Sequence, residues 1–189
     1  MRKEEFRFSA LEITGAPGTG KSTITNYLRE WLGLDRIPGH TTRERRPGEI
    51  QGFDFHYVNA LEFLRNWRRD FYTDLCLQDT WYNGNYYGSP RTWLVRVEAS
   101  SIFTPTCTNT ARHLVTVDPS IAWVHLYAPQ EERKQRLKRR QTSKMEVNYR
   151  LRKGDSQGTK PEALLNINTA EYSLEDTMQM IYWKILRQK

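Results

Sequence analysis

At 189 residues, 27% charged and 38% hydrophobic, the chain suits one compact core and argues against a multidomain protein. No apolar run approaches the roughly 18 residues of a membrane span. The net charge of +7 and pI near 9.5 call for an anionic partner, and charge alone leaves nucleotide, phosphosugar, nucleic acid and membrane surface open.

The N-terminus, Met1 to Glu5, lacks the apolar stretch and cleavage site of a secretory signal, so a cytoplasmic location is expected. Phe8 to Thr14 is a β-capable run that stops at Gly15. Ile24, Tyr27, Leu28, Trp31 and Leu32 then recur at helical spacing until Gly33 closes the helix. Pro38-Gly39 turns the chain into a polar, arginine-rich segment reaching Val58. Asn59, with Glu62 three residues on, caps a helix whose apolar stripe includes Leu61, Leu64 and Phe71. An aromatic loop follows, from Trp81 to Gly88.

Ile121 to Tyr127 reads as a buried strand, and Pro129 sits at the first position of a basic helix that Lys153 to Gly158 breaks. Leu164 to Ile167 is a last short strand, and Ser173 caps a terminal helix lined by Leu174, Met178, Ile181, Tyr182 and Ile185. Strands alternating with helices predict a parallel sheet covered on both faces, with ligands at the carboxyl ends of its strands. Cys76 and Cys107 lie far apart, and His40, His56, His113 and His125 are equally scattered, which disfavours a zinc site or a disulfide framework.

Gly15-Ala16-Pro17-Gly18-Thr19-Gly20-Lys21-Ser22 satisfies G-x-x-x-x-G-K-[ST] between a strand and a helix, the context the motif needs. Its glycines let successive N–H groups face phosphate oxygens, helped by the positive end of the following helix. Lys21 is expected to bridge the β- and γ-phosphates of ATP, and the Ser22 hydroxyl to take one position on Mg²⁺. Thr23 completes the expected ATP-binding set. Arg43 and Arg46 are spaced to present forked donors to one phosphate, which suits a dianionic monoester better than a lysine point charge does.

The segment from His40 to Phe55 resembles the acceptor-binding signature of guanylate kinases, T-T-R-x-x-R-x-G-E-x-x-G-x-D-[YF]. Gly84-Asn85-Tyr86-Tyr87-Gly88-Ser89 is similar to that family's G-N-Y-Y-G-[ST] loop. Gln135-Arg136-Leu137, Arg140 and Val147 to Leu151 resemble its lid. The resemblance spans nearly the whole chain. It implies a P-loop NTPase three-layer α/β fold with a core at 1–38, 88–130 and 154–189, an acceptor-binding insertion at 39–87 and a lid at 131–153. It also implies that Tyr87 adds a hydroxyl to the acceptor phosphate, that Glu49 holds the arginines, and that Arg136, Arg140 and Arg150 act with Lys21 in catalysis. The implied reaction moves the γ-phosphoryl of ATP onto a nucleoside monophosphate, with the enzyme a monomer or homodimer.

Four positions depart from the family. The acidic residues that read guanine fall on Gln78 and near Thr108, a serine before the signature falls on Gly39, and a phosphate-holding tyrosine is replaced by Phe55, whereas Ser89 is kept. Gln78 offers a carbonyl and an amide, which suit a base edge that alternates donor and acceptor; alternatively Asp74 or Asp79 supplies the carboxylate. No carboxylate stands between Thr104 and Thr110 for the magnesium shell, so Mg²⁺ is left to Ser22, water and the phosphates. Competing readings are a ribose 1,5-bisphosphate phosphokinase, a catalytically silent guanylate-kinase-like protein-binding module, and a basic nucleic-acid-binding protein, for which no reading motif is present.

Overall fold

Alternation along the first strand decides how the central sheet is covered. In a computed structural model that describes residues 7–69, 72, 81–82, 85–90, 101–104, 108–140, 143–153 and 158–187, β1 (Ala10–Gly15) is flanked by parallel strands on both sides. Leu11 and Ile13 pack on one face against Ile24 and Leu28 of α1 (Lys21–Leu32) and Met178 and Ile181 of α6 (Leu174–Ile181). Ala10 belongs to the other face, where it meets Leu114 of α3 (Thr108–Val117). The parallel sheet orders as β2 (Asp35–Pro38), β7 (Ser101–Thr104), β1, β8 (Ile121–Tyr127) and β9 (Leu165–Asn168). The predicted three-layer α/β class is what the chain adopts.

A second, mixed sheet orders as β4 (His56–Tyr57), β3 (His40–Thr41), β6 (Asn85–Gly88) and β5 (Trp81–Tyr82). The chain passes from one sheet to the other at Gly39, between the end of β2 and the start of β3. Two contacts tie the 50–54 loop back to the core: Arg36 pairs with Asp54 at 2.8 Å, and the Arg29 guanidinium lies 3.8 Å from the centroid of Phe53. Among the described residues no helix is long and apolar enough to cross a membrane.

Several sequence expectations are corrected. Tyr27 and Trp31 are about half exposed, because α1 buries the arc shared by Ile24, Thr25 and Leu28. Trp31 instead rests on Tyr182 with ring centroids 5.2 Å apart. In α2 (Ala60–Arg68) Leu61 faces solvent, and Phe63 is the buried residue, stacked on Tyr72 and Tyr86 at 4.5 and 5.2 Å. Phe71 lies outside the described residues. Pro129 is the N-cap of α4 (Gln130–Arg139) and not its first residue. The basic segment is two helices, α4 and α5 (Lys144–Lys153), because Leu137, Val147 and Leu151 can share one small core only if the chain doubles back. The aromatic loop is the hairpin of β5 and β6, joined antiparallel.

Three caps were legible and are present. Asn59 accepts from the Glu62 N–H at 2.8 Å, and Gly33 ends α1 in the left-handed region at φ 66°. Ser173 and Asp176 form a reciprocal capping box. Ser173→Ala should lower unfolding stability in urea by about 1 kcal/mol with little change in slope.

Candidate active site

The glycine loop is shaped by what crowds it. A Cβ at Gly15 would stand 2.3 Å from the Leu126 carbonyl oxygen, and one at Gly18 would stand 2.9 Å from the Arg133 carbonyl oxygen. Both glycines adopt positive φ, 148° and 88°, so the turn closes against β8 and α4 only because these side chains are missing. Thr19 Oγ1 donates to the Ala16 carbonyl at 2.8 Å and braces the turn through Pro17. Gly20, at φ 90°, leads into α1. Lys21 Nζ donates to the carbonyls of Gly15 and Ala16 at 2.5 and 3.0 Å, curling back over the loop where phosphate oxygens would lie. Burial, then the nearby charges of Arg140 and Arg133, bring the Lys21 ammonium down to about 8.

A cleft of about 390 Å³ opens beside this loop, lined by residues that include Thr19, Thr23, Arg139, Arg140, Thr169 and Tyr172. Arg136 spans its wall: Nε bonds Glu132 at 2.8 Å, Nη1 bonds Thr169 Oγ1 at 2.9 Å and Nη2 bonds the Thr169 carbonyl at 2.7 Å. Helix α4 is thereby held to the turn after β9. Ser22 and Thr23 are exposed in the first turn of α1. A single exposed hydroxyl suits a hard cation that keeps several waters, and the described residues contain no group of three or more His, Cys, Asp or Glu side chains placed to hold a metal. Ser22 therefore fits as one oxygen ligand of Mg²⁺ carried in by a polyphosphate.

The second cationic centre is built on Glu49. Its Oε1 accepts from Arg43 Nη2 at 2.6 Å, and its Oε2 accepts from Arg43 Nη1 at 2.6 Å, the Arg46 N–H at 2.9 Å and the Tyr57 hydroxyl at 2.7 Å. Although partial burial pushes the Glu49 carboxyl up, these donors and the Arg43 charge hold it at about 2. Arg46 is shifted down by burial and by the charges of Arg43 and Arg150, so α5 and the loop after β3 share a field. Tyr87 stands beside them, its ring 6.1 Å from Phe55. Arg150 is buried and paired with Glu146 one helical turn back.

Lys21, Arg140 and the loop residues thus form one group, and Arg43, Arg46, Glu49, Tyr87 and Arg150 a second. Ser89 and Thr108 are buried, Thr108 as the first residue of α3. Gln78, Asp74 and Asp79 lie outside the described residues. Sequence reasoning gave no role to Arg133, 1% exposed and packed on Gly18, or to Thr169, which anchors Arg136. No motif marks either one. It also passed over Tyr57, where an aromatic two places beyond Phe55 was a usable signal.

The depressed Glu49 carboxyl has a stability consequence. Its contribution is fully present above the ordinary value of 4.5 and is lost as pH falls from there toward 2. Glu49→Gln should therefore be clearly less stable than wild type at pH 7, and the gap in thermal melts should narrow below pH 4.5.

Comparison with known proteins bears on the family and the fold. The guanylate kinase family model matches residues 9–184. A guanylate kinase of Gloeobacter violaceus is 42% identical over 83 residues, which cover 43% of this chain and 38% of that protein. One from Bartonella quintana is 38% identical over 91 residues, covering 48% and 39%. The chain spans about two fifths of the length of these curated relatives. The crystal structure of a guanylate kinase from Anaplasma phagocytophilum superimposes with a TM-score of 0.63 at 20% identity, covering 94% of this chain and 84% of that one. A sugar kinase from Janibacter sp. HTCC2649 gives 0.52 at 17% identity, covering 93% and 92%, and like the former bears on the fold. With the family model matched across residues 9–184, the chain belongs to the guanylate kinase family.

Proposed function

We propose that the protein is an ATP-dependent nucleoside monophosphate kinase, in which the glycine loop holds Mg·ATP and the Arg43–Glu49 centre holds the acceptor phosphate. One observation carries this reading. Arg150 of the lid stands within the field of Arg46, while Arg140 and Arg133, also from the lid side, stand within that of Lys21. A group moving between a triphosphate and a monoester would pass between these cations. Phosphoryl transfer asks a protein mainly for alignment and for neutralisation of the equatorial oxygens, and fixed guanidinium groups supply both. Mg²⁺, with Ser22 as its protein ligand, would neutralise the β- and γ-oxygens when bound.

In this reading residues 39–87 form the acceptor arm and 131–153 the lid, with the remainder as core. GMP and dGMP are the first acceptors to consider by family. A second (deoxy)nucleotide stands close behind, because Gln78 and Thr108 occupy the positions at which the family reads guanine with acids. The amide of Gln78 complements thymine, uracil or adenine better than it complements the paired donors of guanine.

Incubation with Mg·ATP and a panel of ribo- and deoxynucleoside monophosphates plus ribose 1,5-bisphosphate, scored by ADP formation, tests the reading. Turnover is expected with at least one nucleoside monophosphate; turnover with the bisphosphate alone, or with none of the panel, would overturn it. Lys21→Ala should abolish turnover with every acceptor. Arg43→Ala should chiefly raise the acceptor KM, and Gln78→Glu should raise activity on GMP. Since the Lys21 ammonium lies near 8, its charge fades as pH rises through that value. ATP affinity measured by calorimetry should therefore fall across that range and stay level below it.

A further inference from the structure

Phe55, at the end of the arginine signature, carries no hydroxyl, and a hydroxyl reaches Glu49 from Tyr57, two residues further on. Side chains two apart on an extended segment point the same way. Accordingly the rings of Phe55 and Tyr57 lie 6.0 Å apart. The Arg43 guanidinium sits over both, 5.1 Å from the Phe55 centroid and 5.3 Å from that of Tyr57. The same Tyr57 hydroxyl donates to Glu49 Oε2 at 2.7 Å. Arg43 is therefore confined twice by one residue, on its face by the ring and on its edge through Glu49.

The arithmetic of the guanidinium makes that confinement consequential. An arginine has five N–H donors in a rigid plane. Arg43 places one Nη1–H on Glu49 Oε2, one Nη2–H on Glu49 Oε1, and the other Nη1–H on the Glu44 carbonyl at 2.9 Å. What is left among the described contacts is Nε–H and the second Nη2–H, the two parallel donors along one side of the plane. That side is a fork matched to two oxygens of a phosphate. Which side Arg43 offers is thus dictated by where Glu49 stands, and Glu49 Oε2 is located by Arg43, the Arg46 N–H and Tyr57.

We propose that Tyr57 is a positioning residue of the acceptor-phosphate clamp: its hydroxyl seats Glu49 so that Arg43 keeps its Nε–Nη2 side turned to the phosphate. The inference rests on the kinase reading above and adds to it the residue that orients the clamp. It also explains how the clamp stays ordered when Phe55 supplies no hydroxyl.

The test is steady-state kinetics of Tyr57→Phe, which removes one oxygen, with Mg·ATP and the monophosphate that wild type uses best. The acceptor KM should rise about tenfold, as loss of a hydrogen bond to a charged group implies, while the ATP KM stays within about twofold. Glu49→Gln should raise the acceptor KM further. Tyr57→Phe/Glu49→Gln should be no worse than Glu49→Gln alone, because both changes act through one carboxylate. Calorimetric titration with the monophosphate alone should show the same ordering without turnover. An unchanged acceptor KM in Tyr57→Phe, additive effects in the double variant, or parallel rises in both KM values with a lowered melting temperature would each overturn the assignment. Wild type inactive on every nucleoside monophosphate would instead sink the kinase reading, and this assignment with it.

Discussion

Like charges gathered into two groups are the condition to which the rest of the structure answers. Burial first, then the charges of Arg140 and Arg133, lower Lys21, and burial first, then the charges of Arg43 and Arg150, lower Arg46. Two unit charges 4 Å apart cost about 1 kcal/mol in water and about 4 kcal/mol at the effective dielectric near a protein surface. The described carboxylates offset this unevenly. Glu49 serves Arg43, Glu146 serves Arg150 and Glu132 serves Arg136, while Lys21 leans on two backbone carbonyls. In the proposed reading a polyanion that reaches from one cationic group to the other would relieve both.

The fold supplies the rigidity this requires. The loop bearing Lys21 leaves the carboxyl end of the central strand, pinched between the Leu126 carbonyl and the backbone of Arg133, so it has little room to relax away from its own charge. Arg136 fastens α4 to the turn after β9. On the other side the loop after β3 carries Arg43, Arg46 and Glu49, and its 50–54 stretch is tied to the core by Arg36–Asp54 and by Arg29 against Phe53. From β2 to β3 the chain crosses between the sheets in a single residue, Gly39.

What could be read in the sequence was whatever depends on local chemistry. The glycine loop, the caps at Asn59 and Ser173 and the closing Gly33 each follow from a few neighbouring residues, and each is present; the Arg43–Glu49 pair, implied by the family resemblance, is present too. What depends on the partner surface was misread. Tyr27, Trp31 and Leu61 are apolar at helical spacing yet lie outside the buried arcs, since spacing alone does not say how wide a strip the sheet covers. The basic segment looked like one helix because the apolar contacts that fold it into two are only Leu137, Val147 and Leu151. β2 and β7 went unnoticed for a related reason: Asp-Arg-Ile-Pro and Ser-Ile-Phe-Thr carry little alternation, and pairing with neighbours makes them strands. Thr14, bonded to both Trp123 and His125 inside the sheet, belongs to the same class of feature, visible only once β1 and β8 are side by side.

In the proposed reading, Arg43, Arg46 and Glu49 would grip the acceptor phosphate apart from whatever reads its base. Calorimetric titration with dinucleoside pentaphosphates, adenosine joined to guanosine and adenosine joined to thymidine, asks directly whether both cationic groups engage one ligand. The account predicts one site per chain, binding tighter than that of ATP or of either monophosphate for at least one of the two, and weakening steeply with salt. Affinity no greater than that of ATP for both compounds would contradict it.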